Sequence, residues 1–482
     1  MGEHSGDANI ATLSKDHFGT LLSCVKNNRD EEYVQMWLST HEHSNDLKFI
    51  ATSDISNAID QLTLGKSVGD DALSAEHYKF ASDRLYLMLS MSFNSMLSHG
   101  FLPSEFMKTI LIPIVKDKAG DLTSKDNYRP IAISTVTSKI LESIILKRCS
   151  SFLYANEAQF GFKAAHSTDM CIFIMKEIIN YYHSYNSPVY TCFLDASKAF
   201  DRVNHWSLFK KLIHRGLPGY IIRILIVWYR TQSFCVRWGN ATSSPFPVSN
   251  GVRQGSILSP SLFNVYMDDL STNLITSKIG CTIGGLTTNH LMYADDLVLL
   301  SPSIRGLRKL INICDNYGVD LDIIYNPRKS ECMYFLPPKS CLKNKTLPAV
   351  YLAGTRLRQV NKHVYLGCIF TDDFVDDSDI MRQTRCFYAR GNMLLRKFNN
   401  CSTDVKIFLF RTFCTNMYCS QLWYSFKRKS LNTLCVAYNN AFRICMGLPR
   451  DCSASGMFVT QSIPTFEALR RNMVFFHFYS SF

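Results

Sequence analysis

Long apolar runs are missing from this 482-residue chain. The most apolar stretch, Tyr220–Tyr229, is too short to span a bilayer and carries Arg223, so no membrane span is expected. Residues 1–30 are polar and mixed in charge, without the apolar block of a secretory signal. Metal-binding cysteine patterns are missing as well. The 17 cysteines are odd in number and scattered, with no CxxC pair and no Cys/His spacing of a zinc finger or knuckle. Cys414 and Cys419 come nearest, and no second ligand pair follows them. Reduced, mostly buried thiols in the cytosol or nucleus are the expectation. There is no internal repeat and no long low-complexity linker, which argues against repeat arrays.

What is present is a globular composition, 46% hydrophobic and 19% charged. The length implies several subdomains around more than one core. Lys and Arg outnumber Asp and Glu by 52 to 40, a formal net charge of +12. That surplus suits a polyanionic partner, nucleic acid or an anionic membrane surface, but by itself shifts the odds only modestly.

Residues 1–50 read as a loosely packed polar lead-in. From Asp54 to Gly100 the pattern is helical, with a turn over 65–71 between a short helix and a longer one from His77 to Leu97. Leu111–Val115 reads as a strand and Ser138–Leu153 as an amphipathic helix. Val189–Leu194 is an apolar strand ending at Asp195, followed by helices over His205–His214 and Pro218–Tyr229. Phe234–Trp238 and Phe246–Val248 read as hairpin strands, and Ser259-Pro260 opens a helix to about Leu270. Short strands His290–Tyr293 and Leu297–Leu300 flank Ala294-Asp295-Asp296. A helix over Arg305–Tyr317 and a strand over Cys332–Phe335 precede Pro337-Pro338. This order predicts a small mixed sheet backed by helices on one face. A β segment around Val364–Phe370 and an all-helical region over 378–482 complete the chain.

Two acidic sites lie 100 residues apart, each at a strand end: Asp195, and the pair Asp295-Asp296. Phosphodiester synthesis needs an activated 3′-hydroxyl and a neutralised pyrophosphate, which two divalent ions about 3.5–4 Å apart provide. Mg²⁺ takes oxygen ligands, so carboxylates must supply such a site. Alone, Asp295-Asp296 reads as a polar β-turn. Within the apolar stretch Leu291–Leu300, an acidic doublet needs a reason, usually a metal.

Phe193-Leu194-Asp195-Ala196-Ser197-Lys198-Ala199-Phe200-Asp201-Arg202-Val203 resembles motif A of reverse transcriptases, and Tyr293-Ala294-Asp295-Asp296 resembles their motif C. Gly251-Val252-Arg253-Gln254-Gly255-Ser256-Ile257-Leu258-Ser259-Pro260 is similar to motif B. Asn127-Tyr128-Arg129-Pro130-Ile131 and Gln159-Phe160-Gly161-Phe162-Lys163, with His166-Ser167-Thr168, resemble the two fingers motifs. Asn326 to Cys332 resembles motif D, and Tyr365-Leu366-Gly367 the primer grip. The seven stand in family order over about residues 60–370, and their wording is closest to non-LTR, LINE-like retrotransposons. The tail, with Ala437-Tyr438-Asn439-Asn440-Ala441 and Leu448-Pro449-Arg450, is similar to that group too.

The resemblance implies an α+β right-hand polymerase: fingers, a palm with an antiparallel sheet, and a helical thumb. It divides the chain into a lead-in (1–53), fingers (54–188), palm (189–336), primer-grip region (337–377) and thumb with C-terminal region (378–482). It implies an RNA-directed DNA polymerase using two Mg²⁺ or Mn²⁺ ions, dNTPs, an RNA template and a DNA primer or duplex, in the nucleus or cytoplasm. Asp195, Asp295 and Asp296, with the Ala196 carbonyl, would hold the metals, and Lys329 would protonate the leaving pyrophosphate or be a plain surface lysine. Arg129 and Lys163 would reach the triphosphate, although Arg is commoner at the second place and lysine loses bidentate geometry. Arg253 and Gln254 would approach nucleotide and template, with Gly251 and Gly255 permitting the close approach. Phe200 would lie under the sugar 2′ position or serve as a core aromatic. Lys198 and Asp201 would orient the loop or form a salt bridge. Arg382, Arg385 and Arg396, on one helix with Arg390 and Lys397, would track a duplex backbone or be a solvated face. The resemblance also implies an endonuclease ahead of the polymerase, for which the chain has no room, and nothing resembles a ribonuclease H domain. An RNA-dependent RNA polymerase is the enzymatic rival. A truncated or domesticated, catalytically inactive RNA-binding protein is the rival of another class.

Overall fold

A computed structural model describes residues 6–25, 30–41, 47–337 and 348–480. The lead-in is packed rather than loose. Helices α1 (Asp7–Leu21) and α2 (Glu31–Thr40) each bury a narrow stripe that a mostly polar sequence conceals. Phe18 and Leu22 enter a small core with Leu111, Tyr128, Phe234 and Val236, and Val34 is fully buried in the main core. Helices α3 (Thr52–Asp60), α4 (Ala75–Lys79) and α5 (Arg84–His99) follow. The single helix expected from His77 breaks over 80–83, where Ser82 and Asp83 favour caps over helix interiors.

Strand β1 (Lys108–Val115) pairs antiparallel with β2 (Tyr128–Ser134). After helices α6 (Val136–Arg148) and α7 (Thr168–Ser184) comes β3 (Val189–Asp195). Helices α8 (His205–His214) and α9 (Gly219–Thr231) lead to β4 (Ser233–Trp238), which lies parallel to β1. The short strands β5 (Ala241–Thr242) and β6 (Phe246–Pro247) pair with β4 and complete this first sheet. Helix α10 (Ser259–Thr276) runs beyond its expected end near Leu270, because Leu270 and Leu274 continue its buried face.

Hairpin β7 (Cys281–Ile283) and β8 (Leu286–Thr288) precede β9 (His290–Tyr293), β10 (Asp296–Ser301), α11 (Ile304–Asp320) and β11 (Glu331–Phe335). Pro337 follows this block, and Pro338 lies outside the described residues. Hairpin β12 (Tyr351–Leu352) with β13 (Thr355–Arg356), strand β14 (Arg358–Gln359), and hairpin β15 (Lys362–Tyr365) with β16 (Cys368–Thr371) follow. The second sheet has the order β14-β11-β3-β10-β9 and is antiparallel except at its β14 edge.

Both faces of that sheet are covered, where one was expected. Tyr190, Cys192 and Leu194 of β3 join a core with Leu208, Leu262, Leu310 and Cys314 of the helices on one side. Val189 and Phe193 point the other way, into Ile172, Met175 and Ile179 of α7 and Tyr365 and Phe370 of the last hairpin. A strand covered on both faces reads as an unbroken apolar run, which is why β3 shows no alternation.

The C-terminal helices α12 (Asp377–Phe398), α13 (Thr403–Cys414), α14 (Arg428–Met446), α15 (Ala454–Thr460) and α16 (Phe466–Ser480) have their own core. Tyr438 is its centre, packed on Phe387, Phe410, Phe458 and Phe466. A buried ion pair ties this unit to the sheet. Lys176 on α7 donates to Asp376 at 2.6 Å and to the Leu422 carbonyl at 2.8 Å. The second Asp376 oxygen accepts the Tyr424 and Ser425 N–H groups. Replacing Lys176 with Met leaves the Asp376 charge buried without its cation, and should cost about 3–5 kcal/mol. Urea unfolding of the variant checks this; stability equal to the parent's would mean the pair does not hold the two units together.

Candidate active site

Strands β9 and β10 are joined by the two-residue turn Ala294-Asp295, with Tyr293 opposite Asp296. Ala294 adopts a left-handed φ of 56°. On its other side β10 pairs with β3, so that Asp296 stands directly across from Asp195. Carboxylates 100 residues apart in sequence are thereby neighbours at one end of the sheet. The end of β3 is itself tied down, since the Asp195 N–H donates to the buried Ser330 hydroxyl and the Asp195 carbonyl accepts from Asn326. Ser330 escaped the sequence reading because a serine carries no signal until its partner is known.

Asp195, Ala196 and Asp295 line an open cleft of roughly 790 Å³, with Arg129, Phe200, Gln254 and Lys329 around it. None of the three aspartates has an ion-pair partner among the described residues. Burial and then the Asp195 charge push the Asp295 carboxyl above its ordinary value. Asp296, the next residue, is pushed up to about 6 by burial, then by Asp295 and Asp195. Acids that repel one another without a cation suit a divalent ion. Among the described residues no group of three His, Cys, Asp or Glu side chains is placed to hold a metal ion by itself.

The same cleft is lined by cations. Arg129 projects from β2 between buried Tyr128 and Pro130, exposed and without an ion-pair partner among the described residues. Lys116, just past the end of β1, also lines the cleft. Burial, then Lys198, with Arg129 and Lys329 further off, lowers its pKa. The sequence reading missed Lys116; its only signal was a basic residue directly after an apolar strand. Lys329 is exposed at the same rim.

Phe200 is both a packed aromatic and part of the cleft wall. Its ring lines the cleft, stacks on buried Phe263 at 4.2 Å and meets the edge of Phe162 at 5.9 Å. Gln254 lines the cleft while donating to Asp201 at 2.6 Å, and its carbonyl accepts from Ala132 of β2. Gly251 and Gly255, at φ 90° and 118°, allow close approach to neighbouring protein backbone, the carbonyls of Asp201 and Ala132.

Other residues depart from expectation. The Arg253 side chain is 3% exposed and turned into the protein, ion-paired with fully buried Glu142 of α6 at 2.5 Å and stacked over Trp228. Glu142 also accepts from the Ser256 hydroxyl and the Ile257 N–H, so the Arg253 side chain shapes the loop whose residues 253–256 line the cleft. Lys163 is turned toward the carbonyls of Ala155 and Asn156 and the Glu157 carboxylate, and does not line the cleft. Lys198 pairs with Asp126, not with Asp201. On α12, Arg385 and Arg396 face solvent, whereas Arg382 is held by buried Asp379 at 2.7 Å.

Burial pushes the Asp201 carboxyl from 3.8 up to about 6, against the pull of Gln254, Lys116 and Lys198. A carboxyl raised on folding stabilises the fold below its unfolded pKa, and that contribution is lost as pH climbs to the folded value. Asp201→Asn should therefore gain stability over the parent as pH rises from about 4 to about 6, and hold that gain above it. Melting temperatures of both proteins between about pH 4.5 and about pH 7.5 check this. A gap independent of pH would contradict the buried, proton-binding carboxyl.

Residues 115–370 match the family model described as "Reverse transcriptase (RNA-dependent DNA polymerase)". Over 437 residues the chain is 25% identical to the RNA-directed DNA polymerase from mobile element jockey of Drosophila melanogaster, covering 87% of this chain and 46% of that protein. It is 27% identical to the probable RNA-directed DNA polymerase from transposon BS of the same fly, covering 84% and 45%. A Pol polyprotein from a type-1 retrotransposable element R2 of Popillia japonica is 34% identical over 42% of this chain and 29% of its own length. The chain thus spans about half the length of the first curated relatives it matches. Among solved structures, an apo telomerase from Candida tropicalis truncated from its C-terminal domain is similar at TM-score 0.38 and 11% identity, over 63% of this chain and 61% of that one. With the family match covering more than half of its residues, the chain belongs to the reverse transcriptases, the RNA-dependent DNA polymerases.

Proposed function

We propose that this chain acts as the RNA-directed DNA polymerase of a LINE-like retroelement, adding dNTPs to a primer 3′-end on an RNA template. The observation that carries the proposal is the juxtaposition of Asp195 and the Asp295-Asp296 turn at one end of the sheet, beside a cleft that Arg129, Lys116 and Lys329 also line. In the reaction the primer 3′-hydroxyl gives up its proton to water, its oxygen bonds to the α-phosphorus, and the bond to the pyrophosphate oxygen breaks. Two Mg²⁺ or Mn²⁺ ions supply activation of the hydroxyl and neutralisation of the leaving group. Asp195 and Asp295, with Asp296 and the Ala196 carbonyl beside them, would hold these ions. Arg129 and Lys116 orient the triphosphate by charge, and Lys329 donates the proton that the leaving pyrophosphate takes up. Gln254 presents the floor on which nucleotide and template base meet. Arg385 and Arg396 on α12 follow the duplex backbone without reading bases. The partners are RNA, a DNA primer and dNTPs, met in the nucleus or cytoplasm.

Purified protein should extend oligo(dT) on poly(rA) with Mg²⁺ or Mn²⁺, and Asp195→Asn or Asp295→Asn should reduce extension to background at a melting temperature no lower than the parent's. An amide keeps the carboxylate's shape but not the charge that holds the ions. Extension by either variant near the parent's rate would remove the acids from the reaction.

Phe200 separates DNA synthesis from RNA synthesis. A ring braced by Phe263 cannot retreat from a 2′-hydroxyl, and the clash disfavours ribonucleotides. Phe200→Val should lower the ratio of kcat/KM for dNTP over rNTP by about 10- to 100-fold. If both activities fall together at a constant ratio, Phe200 acts only as packing.

A further inference from the structure

The segment 158–161 runs along the free edge of β9. The Met292 N–H donates to the Ala158 carbonyl at 2.8 Å, and the Phe160 N–H to the Met292 carbonyl at 2.7 Å. Between them Gln159, 3% exposed, turns its side-chain amide onto the next turn of chain. Its Oε1 accepts from the Ala294 N–H at 3.0 Å and from the Gly161 N–H at 2.8 Å. Its Nε2 donates to the Ala294 carbonyl at 3.3 Å. One amide therefore serves both main-chain polar groups of Ala294, the left-handed residue directly before Asp295.

The fit leaves no slack. A Cβ on Gly161 would overlap the Ala294 nitrogen, so the backbones of the segment and the turn lie in direct contact. Asn264 of α10 holds the far side of the segment by donating to the Gly161 carbonyl at 2.9 Å. A left-handed alanine is disfavoured on its own and persists where surrounding structure over-determines it. Here that structure is the Gln159 amide.

We infer that Gln159 is a positioning residue that locks the Ala294-Asp295 turn in the conformation setting Asp295 and Asp296 against Asp195. The inference rests on the polymerase reading of those acids. Gln159 does not line the cleft; it acts on the geometry of the carboxylates, as outer-shell partners of metal ligands do.

Two variants separate this role from simple support of the fold. Gln159→Met keeps the bulk and removes all three hydrogen bonds. Gln159→Glu keeps the acceptor toward both N–H groups and loses only the donation to the Ala294 carbonyl. Mn²⁺ affinity of the full chain without nucleic acid, read from the EPR signal of free Mn²⁺, should weaken by about 10- to 100-fold in the Met variant. Its kcat on poly(rA)/oligo(dT) should fall by a similar factor, with KM for dTTP within about threefold of the parent's. The Glu variant should lie between. A folded Met variant with parental Mn²⁺ affinity and kcat overturns the inference, as does a loss of both only in proportion to the unfolded fraction. If the Met variant does not fold, parental Mn²⁺ affinity and kcat in the Glu variant overturn it instead. A parent that binds Mn²⁺ weakened by Gln159→Met, yet extends no primer, would count against the polymerase reading and leave the positioning role standing.

Discussion

Residue pairs from Asp296 and Asp195 to Ser301 and Tyr190 hold β10 against β3 in a single register. A slip of one residue would turn every side chain of β10 to the opposite face, sending Leu297 and Leu299 into the layer that Val298 and Leu300 now fill. Because apolar layers cover both faces of the sheet, that slip is costly, and the position of the acids follows from the packing of residues that never meet substrate. The charge repulsion among Asp195, Asp295 and Asp296 is an expense that the cores on either side offset.

The loops around the acids are held in the same spirit, by polar groups buried far from solvent. Glu142 grips the 253–257 loop through Arg253, Ser256 and Ile257, and the Ala132 N–H holds that loop against β2 by donating to the Gln254 carbonyl. Ser330 holds the end of β3. Removing one partner of such a pair strands a charge or a donor, so these side chains confer a single geometry more than they add stability. The lone cations of the cleft, Arg129 and Lys329, are the contrast, for they have no protein partner among the described residues and are free for an anion.

Chemistry that demands a particular residue type was legible in the sequence; geometry that depends on a distant partner was not. Asp195 at the end of an apolar strand and an acidic doublet inside another apolar stretch announce themselves, because burying charge without purpose is unfavourable. The strands β3, β9, β10 and β11 were also readable to within a residue or two. Arg253 lines the cleft, but nothing local reveals that its side chain pairs with Glu142, more than a hundred residues earlier. Lys163 looked like a triphosphate contact for want of sight of the Ala155 and Asn156 carbonyls behind it. Helix α7 was passed over although Cys171, Ile172, Met175, Ile178 and Ile179 repeat at helical spacing, and with it went the second covered face of the sheet. Gln159 gave no signal beyond its motif, since an amide counts only once the turn it serves lies against it.

The most direct measurement is anomalous diffraction from crystals of the chain with primer–template, Mn²⁺ and a non-hydrolysable dNTP. The account predicts two Mn²⁺ peaks about 3.5–4 Å apart, both within ligand distance of Asp195 and Asp295, with the triphosphate along Arg129 and Lys116. Nucleotide bound in the cleft with no ion between Asp195 and Asp295 would contradict it.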